Sequence, residues 1–419
     1  MNCLTSKELR RMKNVPDIRF KGFEEEWKTY ILSSIGNFRS NGVDKKIYND
    51  EQIVNLLNYM DVYNYRKITS KNCIDLMKVS ATKKQIKDCN IIKGDIFFTP
   101  SSETPDEIGY VMSIEETLPN TCYSYHLMRF RPFDRILYLS FADYCFSSNY
   151  FRGQMKFKAK GVQRFILSKP DFESLEALLP SYEEQEIITC LFKAIDNVIN
   201  DCKKKIASLK QLKSACLISM FPQQGETVPR VRFKGFDGEW ALSKLGELFE
   251  ERIENEPNAE MLSVTMNNGI IKAVDNGRYD NSNSNKAKYK LVNIGDIAYN
   301  SMRMWQGASG VSLYRGIVSP AYTVVKPKDG VDSLFFSYMF KTDEVVKKFR
   351  LSSQGLTKDT WNLKYPAFSE IYVLYPIKVA EQHQIASYFC NLDIQISEQE
   401  KRLEKLKQIK AACLDKMFV

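Results

Sequence analysis

The sequence contains two copies of one unit, and this duplication constrains the fold more than any other feature. VPDIRFKGFEEEW at 15–27 and VPRVRFKGFDGEW at 228–240 share nine of 13 positions. A GDI triplet follows in each copy, and LKQLKSACLISMF at 209–221 returns as LKQIKAACLDKMF at 406–418. The motifs keep their order while the spacing between them changes. We therefore predict two copies of a single structural unit, each with its own variable insertion.

Each copy is predicted to consist of a globular α+β part followed by a long helix. Short β-rich runs such as 90–98 and 371–375 alternate with turn-rich loops in the globular parts. After Pro180 and Pro376, apolar residues recur at seven-residue spacing, which is typical of a coiled-coil seam. The expected parts are globular domains at 15–180 and 228–376 and helices at 181–222 and 377–419.

The heptad pattern predicts which side chains form the seam. Helices of about 40 residues would be roughly 60 Å long, and a duplicated chain would pair them antiparallel. The alternative is that each helix packs only on its own domain, and the polar Gln399 within the second seam favours it. At the start of the first helix, Ser181 and Glu184 have the spacing of a capping box. The seam positions are Ile188, Phe192, Ile195, Ile199, Cys202, Ile206, Leu209 and Cys216, then Ile385, Phe389, Leu392, Ile396, Gln399, Leu403, Leu406 and Cys413.

The composition is compatible with a nucleic-acid partner but does not identify one. The 419 residues include 60 Lys and Arg against 51 Asp and Glu, a net charge of +9. The ten cysteines form no C-x-x-C pair, and with two histidines the chain lacks Cys/His zinc spacing. No apolar run approaches the 18 residues of a membrane span. We expect a reduced, cytoplasmic protein with no membrane partner and no metal site.

The motifs of several enzyme classes are missing from the sequence. There is no Gly-Lys dipeptide and hence no P-loop for ATP. There is no Asn/Asp-Pro-Pro-Tyr/Phe segment to hold a target base, and no Gly-rich strand–turn–helix segment to bind S-adenosylmethionine. These absences favour a binding component without catalytic residues. A single-chain methyltransferase or nuclease with unrecognised motifs, and a duplicated helical scaffold with no DNA role, remain as alternatives.

The duplicated order resembles the specificity subunit of type I restriction–modification systems over 15–418. The resemblance rests on the two entry motifs, the GDI strands, the helix starts PSYEEQ and PIKVAEQ, and the paired LKQ-K-AC endings. It implies two target-recognition domains, each reading half of a split double-stranded DNA site, and an antiparallel helical spacer. It also implies two methyltransferase subunits for adenine N6 methylation and restriction/motor subunits as partners. S-adenosylmethionine, ATP and Mg would be used by those partners, and no cofactor is expected in this chain.

The candidate DNA contacts lie in five segments, and ordinary solvated surface is the alternative for each. Polar and basic side chains can read base edges and hold phosphates. The third and the last segment each contain a glycine, Gly161 and Gly355, and these glycines occupy corresponding places in the two copies. The first-domain candidates are Tyr63, Arg66 and Lys67, then Ser101, Ser102 and Thr104 after the GDI strand, and the basic stretch Arg152, Lys156, Lys160 and Arg164. The second-domain candidates are Arg303, Trp305 and Gln306 after the second GDI strand, and Arg350, Ser353, Gln354 and Lys358 around Gly355.

Overall fold

The chain divides into two compact units that both combine helices with sheets. The computed structural model describes residues 14–133, 135–265, 269–276, 285–357 and 360–418. The first unit is the chain up to residue 202 together with the chain from 402 onwards, and the second is 203–401. The α+β prediction is therefore confirmed in each unit.

The elements of the two units are as follows. The strands are β1 Lys28–Ile31, β2 Gly36–Arg39, β3 Gln52–Leu57, β4 Met77–Ala81, β5 Asn90–Ile91, β6 Ile96–Phe98, β7 Ser101–Ser102, β8 Val111–Ser113, β9 Leu118–Tyr123, β10 Met128–Pro132, β11 Phe165–Ile166, β12 Glu176–Leu179, β13 Ala241–Lys244, β14 Phe249–Glu251, β15 Leu262–Thr265, β16 Gly269–Lys272, β17 Lys290–Val292, β18 Ile297–Asn300, β19 Ser309–Val311, β20 Gly316–Val318, β21 Tyr322–Pro327 and β22 Tyr372–Tyr375. The α-helices are α1 Leu32–Ile35, α2 Tyr59–Tyr63, α3 Lys83–Asp88, α4 Phe141–Cys145, α5 Asn149–Lys158, α6 Lys169–Glu173, α7 Tyr182–Ser219, α8 Leu245–Leu248, α9 Ser333–Met339, α10 Asp343–Ser352, α11 Tyr365–Ser369 and α12 Val379–Lys416.

Two sheets recur in both units with the same strand order. The larger sheet has the order β2-β10-β6-β8 in the first unit and β14-β21-β18-β19 in the second. A two-stranded antiparallel ribbon pairs β1 with β12 and β13 with β22. The recurring order confirms the duplicated architecture that the repeated motifs predict.

The insertions between the recurring strands differ. The first unit inserts a four-stranded sheet, β4-β3-β9-β5, in which β3 and β9 run parallel. The second unit has two two-stranded sheets instead, β15 with β16 and β17 with β20. The copies therefore share a framework and diverge in the inserted parts, as the drifting spacing of the motifs indicates.

The GDI triplets form a turn that leads into β6 and β18. Gly94 has a φ of +91°, a left-handed conformation that glycine adopts without strain. The fully buried Asp95 accepts hydrogen bonds from the backbone N–H of Ile92 at 2.9 Å and from the guanidinium of Arg131 at 2.5 and 2.7 Å. These contacts make the motif structural. The second copy repeats them with Gly295, Asp296, Asn293 and Arg252.

A buried ion pair joins each entry motif to the first turn of a long helix. In the first unit, Arg19 donates two hydrogen bonds of 2.7 Å to Glu184, whose side chain is 1% exposed. Arg232 and Glu381 repeat this bidentate pair at 2.7 and 2.8 Å in the second unit. The Ser181 hydroxyl accepts the N–H of Glu184 at 3.3 Å, as the capping box predicts. The Glu184 carboxylate, however, pairs with Arg19, a role that the capping-box spacing does not predict.

The glutamine after each of these glutamates fixes the loop that packs against the helix start. The Gln185 amide donates to the carbonyls of Pro180 and Ile136, both at 3.1 Å, and its oxygen accepts the N–H of Tyr138 at 2.9 Å. The second copy repeats the arrangement with Gln382, Pro376, Gly330 and Asp332.

The two long helices pair antiparallel within each unit. In the first unit, Lys410 of α12 donates to Asp196 of α7 at 2.6 Å. In the second, α7 meets α12 through Lys213 with Asp393 at 2.5 Å and Lys210 with Glu400 at 2.7 Å, so the residue numbers run in opposite directions. The alternative in which each helix packs only on its own domain is therefore wrong. All the seam positions predicted from the heptads, including Gln399, are buried or half-buried.

The residues after each long helix complete a hydrophobic core. Phe418 packs edge to face on Trp27, with ring centroids 6.0 Å apart, and lies 5.8 Å from Phe141. The helix expected over 181–222 ends at Ser219, and residues 220–222 turn into the core of the second unit because Pro222 cannot continue a helix. Phe221 there packs on Trp240, Phe335 and Phe389.

The buried ion pair predicts a large effect from a single substitution. Glu184→Gln leaves the Arg19 guanidinium buried without its counter-charge, so the free energy of unfolding should fall by about 3 kcal/mol. Urea unfolding followed by circular dichroism measures this. The double variant Arg19→Met/Glu184→Leu should lose less than the single variant, because it leaves no unpaired charge. Glu173→Gln, in an exposed ion pair with Lys169, is the matched control and should change stability by about 0.5 kcal/mol or less. A loss from Glu184→Gln as small as that control's would contradict the structural role of the pair.

The half-buried carboxyl of Asp143 in α4 predicts a pH-dependent stability. Asp143 accepts the N–H of Ser113 at 2.6 Å, and burial raises its pKa to about 7 from its ordinary value of 3.8. Between these values the folded chain holds a proton that the unfolded chain releases, so stability falls as the pH rises through this window. Asp143→Asn keeps the acceptor and cannot ionise. The melting temperature of this variant minus that of the wild type should therefore increase from pH 5 to pH 8. A difference that does not change with pH would contradict this assignment.

Candidate nucleic-acid interface

The loop after the first GDI strand lies beside the glycine-centred stretch of the first domain. β7, in that loop, pairs antiparallel with β11, so Ser101 is opposite Ile166 and Ser102 is opposite Phe165. Arg164 donates to the hydroxyl of Ser101 at 3.1 Å. Two of the segments predicted from the sequence thus form one surface.

In each domain, a pair of mutual backbone hydrogen bonds closes the glycine-centred stretch into a loop, called a glycine hairpin below. Lys160 and Ile166 exchange backbone hydrogen bonds of 3.1 and 2.9 Å, and Gln354 and Asn362 exchange bonds of 3.0 and 2.8 Å. Gly161 has a φ of +141°, and a Cβ there would lie 1.9 Å from the Arg164 carbonyl oxygen. A side chain is excluded at this position by backbone conformation and by space. The same holds for Gly355, with a φ of +148° and a Cβ 2.6 Å from the carbonyl oxygen of Thr360.

A tryptophan pair joins the corresponding segments of the second domain. Trp305, in the loop after β18, packs edge to face on Trp361 of the hairpin, with ring centroids 5.4 Å apart at 83°. The Trp305 indole N–H donates to the Met302 carbonyl at 3.1 Å, which fixes the ring in its loop. Arg303 and Gln306 flank this ring and are exposed. Trp361 was missed by sequence reasoning, although its place in the segment after Gly355 could have indicated it.

Tyrosines hold the 59–65 segment of the first domain against the loop after β6. Tyr63 stacks on Tyr59 at 5.9 Å and meets Tyr110 edge to face at 5.0 Å. The Tyr63 hydroxyl donates to Glu107 at 3.0 Å, and that of Tyr59 donates to the Ser101 carbonyl at 2.7 Å. Burial raises the pKa of Tyr59, which therefore stays a neutral donor at pH 7. Tyr63 thus acts as a packing residue here, and sequence reasoning missed Tyr59 and Tyr110.

Several of the predicted basic residues already have partners. Arg66 pairs with Asp61 at 3.1 Å, and Lys156 pairs with Asp106 at 2.5 Å. The hydrogen bond from Lys156 lowers the pKa of Asp106. Arg152 donates to the backbone of Asp106, and its guanidinium lies 5.4 Å from the ring centroid of Tyr110. These residues stabilise the loop as well as adding positive charge to it.

Other basic candidates are available to a ligand. Lys160 is 82% exposed, with Asp171 3.8 Å from its amino group. Within the described part of the chain, four exposed candidates form no ion pair: Lys67, Arg164, Arg303 and Arg350. They are the cations best placed to meet phosphates.

The polar candidates differ in solvent exposure and in whether their side chains already form hydrogen bonds within the domain. Ser102 is 7% exposed and donates to the Thr104 carbonyl at 2.6 Å, so it supports the loop from inside. The Ser353 hydroxyl donates to the Phe349 carbonyl at 2.7 Å. Thr104 is exposed and lies 3.3 Å from Glu107, and Gln354 is exposed on the second hairpin. Lys358 lies outside the described residues.

The described residues contain neither a metal-binding cluster nor a membrane-spanning helix. Across the described ranges, no group of three or more His, Cys, Asp or Glu residues could hold a metal ion. None of the helices in the described part of the chain is long and apolar enough to cross a membrane.

Comparison with known proteins identifies the family. The model of the type I restriction modification DNA specificity domain matches residues 24–211 and again 237–408. The S subunit of a type I restriction-modification system from M. genitalium has a similar structure, with 15% identity over 97% of this chain and 99% of that one and a TM-score of 0.59. A second similar structure is described as showing complex assembly and conformational transition of the type I R-M system. Its chain has 15% identity over 95% of this chain and 99% of its own length, with a TM-score of 0.52. A search among curated proteins finds no match.

The family model matches each copy of the repeat separately, and both matches are to a specificity domain. The prediction of a specificity subunit, rather than an enzyme, is confirmed by this family. The chain belongs to the family of type I restriction modification DNA specificity domains.

Proposed function

We propose that the chain reads a split double-stranded DNA target, with one half-site bound by each globular domain. The observation that carries this proposal is the recurrence of the same surface in both domains. In each, the loop after the GDI strand contacts a glycine hairpin, through Ser101 and Arg164 in the first domain and through Trp305 and Trp361 in the second. Different side chains on one framework are what two different half-sites would require.

The exposed side chains of these surfaces suit the two tasks of DNA recognition. Arg164 and Arg350 are unpaired cations that would hold phosphates in a salt-dependent manner. Gln306 and Gln354 are exposed amides, and Gln pairs well with the edge of adenine in the major groove. The exposed Thr104 hydroxyl would bind a base or a phosphate.

The long helices would fix the distance between the half-sites. Half-sites about one DNA turn apart, roughly 34 Å, can be read from one face of the duplex. In each unit, one aspartate of a long helix binds both a tyrosine of the domain and a lysine of the other helix. Tyr144 and Lys410 bind Asp196 at 3.1 and 2.6 Å, and Tyr338 and Lys213 bind Asp393 at 2.9 and 2.5 Å. Such anchoring would resist changes in domain orientation and thereby set a constant gap in the target.

The chemistry would be performed by partner subunits. The chain would position two methyltransferase subunits, which flip an adenine out of each half-site and methylate N6 with S-adenosylmethionine. Restriction/motor subunits that use ATP and Mg would carry out cleavage. This work on cellular DNA would take place in the cytoplasm.

Reconstitution tests this function. The purified chain, its methyltransferase and labelled S-adenosylmethionine are incubated with random-sequence DNA, and the methylated sites are sequenced. We expect methylation only when both proteins are present, within a motif of two specified halves and a fixed unspecified gap. Methyl transfer by the chain alone would overturn the proposal in favour of a catalytic protein, and methylation with no dependence on the chain would favour a scaffold without a DNA role.

The two hairpin glycines test whether each domain reads its own half-site. Gly161→Ala places a Cβ against the Arg164 carbonyl and should distort the first hairpin only. The preference of the complex for the correct bases over single-base changes should then fall roughly tenfold or more in one half-site. The preference in the other half-site should be unchanged. Gly355→Ala should have the reverse effect, and initial methylation rates on DNA with single-base changes measure both.

Gly153→Ala is the matched control for these variants. Gly153 lies within α5, and no atom lies within 4 Å of a Cβ placed there, so both half-sites should be read normally. If Gly161→Ala and Gly355→Ala relaxed the same half-site, the assignment of one half-site to each domain would be wrong.

A further inference from the structure

The residue after each hairpin glycine, called the hairpin tip below, has a fully exposed apolar side chain. Val162 is 91% exposed, and Leu356 is 102% exposed. An apolar residue also lies five positions before each tip, Phe157 at 92% exposure and Leu351 at 77%. Leu356 lies 194 positions after Val162, and Leu351 lies 194 positions after Phe157. The same two places in the repeated unit are therefore apolar and exposed in both copies.

This recurrence separates the tips from ordinary surface residues. Single exposed apolar residues are common and need no explanation. Here the surrounding sequence has diverged: FKAKGVQRFI at 157–166 corresponds to LSSQGLTKDT at 351–360, and only the glycine is identical. The apolar character of the tip has persisted alongside the glycine that shapes the hairpin.

The hairpin backbone explains how the tips remain exposed. Two mutual backbone hydrogen bonds close each hairpin immediately before its glycine, between Lys160 and Ile166 and between Gln354 and Asn362. The residue after the glycine therefore lies within the loop that these bonds close. In both copies the apolar side chain in this loop is open to solvent.

The charges around the tips indicate what that partner is. Lys158, Lys160 and Arg164 surround Val162 in sequence, with Asp171 beside Lys160 as an acidic neighbour. In the second copy, Lys347 and Arg350 lie nine and six positions before Leu356, and both are exposed. An apolar point within a basic surface matches the major groove of DNA, which has thymine methyl groups among the polar base edges of its floor and phosphates along its edges.

We propose that Val162 and Leu356 pack against bases in the DNA groove, one in each half-site, and supply binding energy that does not depend on salt. The thymine methyl group and partly unstacked base steps are apolar surfaces that such a side chain contacts. The flanking cations hold the adjacent phosphates. This inference rests on the proposed function and adds to it the contact made by the hairpin tips.

Salt dependence distinguishes the tips from the cations around them. Each phosphate contact releases counterions, so its loss lowers the slope of log K against log[salt] by about 1. Loss of an apolar contact lowers K and leaves that slope unchanged. Val162→Ser and Leu356→Ser should therefore each weaken binding roughly tenfold at every salt concentration. Arg164→Gln and Arg350→Gln should reduce the slope.

The experiment uses the full chain in complex with its methyltransferase. Affinity is measured between 50 and 300 mM salt for a duplex of about 40 base pairs carrying the methylated motif, and for the same duplex with the motif scrambled. Ile294→Ser is the matched control, because Ile294 is 71% exposed but precedes β18, whereas the loop of the candidate interface follows that strand. It should bind as the wild type does. Thermal unfolding should be unchanged in the tip variants, since these side chains contribute no buried surface.

The outcomes separate this inference from the proposed function. If the wild-type complex prefers the motif and the tip variants bind with the wild-type affinity, the hairpin-tip contact is overturned and the proposed function stands. If the tip variants no longer bind the methyltransferase, the tips dock a protein, and the inference is equally overturned. If the wild-type complex does not prefer the motif to the scrambled duplex, the proposed function fails and this inference fails with it.

Discussion

The buried pairs of Arg19 with Glu184 and Arg232 with Glu381 are the interactions on which the rest of the structure depends. A carboxylate that is 1% exposed is tolerated only with a well-placed counter-charge, so each entry motif has to lie at the first turn of a long helix. The pairs therefore bring together the beginning and the end of each globular domain. The copies differ around them: the Trp240 indole donates to Glu381 at 3.3 Å, whereas that of Trp27 has no partner within the described part of the chain.

The motifs that repeat in the sequence form the framework, and the residues that differ lie on the proposed DNA-binding surface. The GDI turns, with Asp95 and Asp296 buried, support equivalent strands in equivalent sheets. Beyond those strands, the contact of Ser101 with Arg164 is replaced by that of Trp305 with Trp361. A protein that gives a complex its sequence specificity needs this division, because half-sites can then change without disturbing the domains or the helices.

The sequence predicted the features that depend on short-range patterns. The duplication, the α+β domains and the antiparallel helices followed from repeated motifs and heptads, and the equivalence of Gly161 with Gly355 followed from their surroundings. Features set by long-range pairing could not be predicted. The S-x-x-E spacing at Ser181 gave no indication that Glu184 binds Arg19, 165 positions away. Asp95 and Asp296 take their arginines from different strands, Arg131 on β10 and Arg252 just after β14, which no motif encodes. The burial of Ser102 and the pairing of Trp361 likewise depend on the fold around them.

A genome-wide map of methylation shows whether the chain reads a split DNA sequence. N6-methyladenine is mapped at base resolution in cells with and without this gene, with the methyltransferase gene kept intact. We predict that one motif of two specified halves and a fixed unspecified gap loses its methylation when the gene is deleted and regains it on complementation. Methylation of such a motif that persists unchanged after the deletion would contradict it.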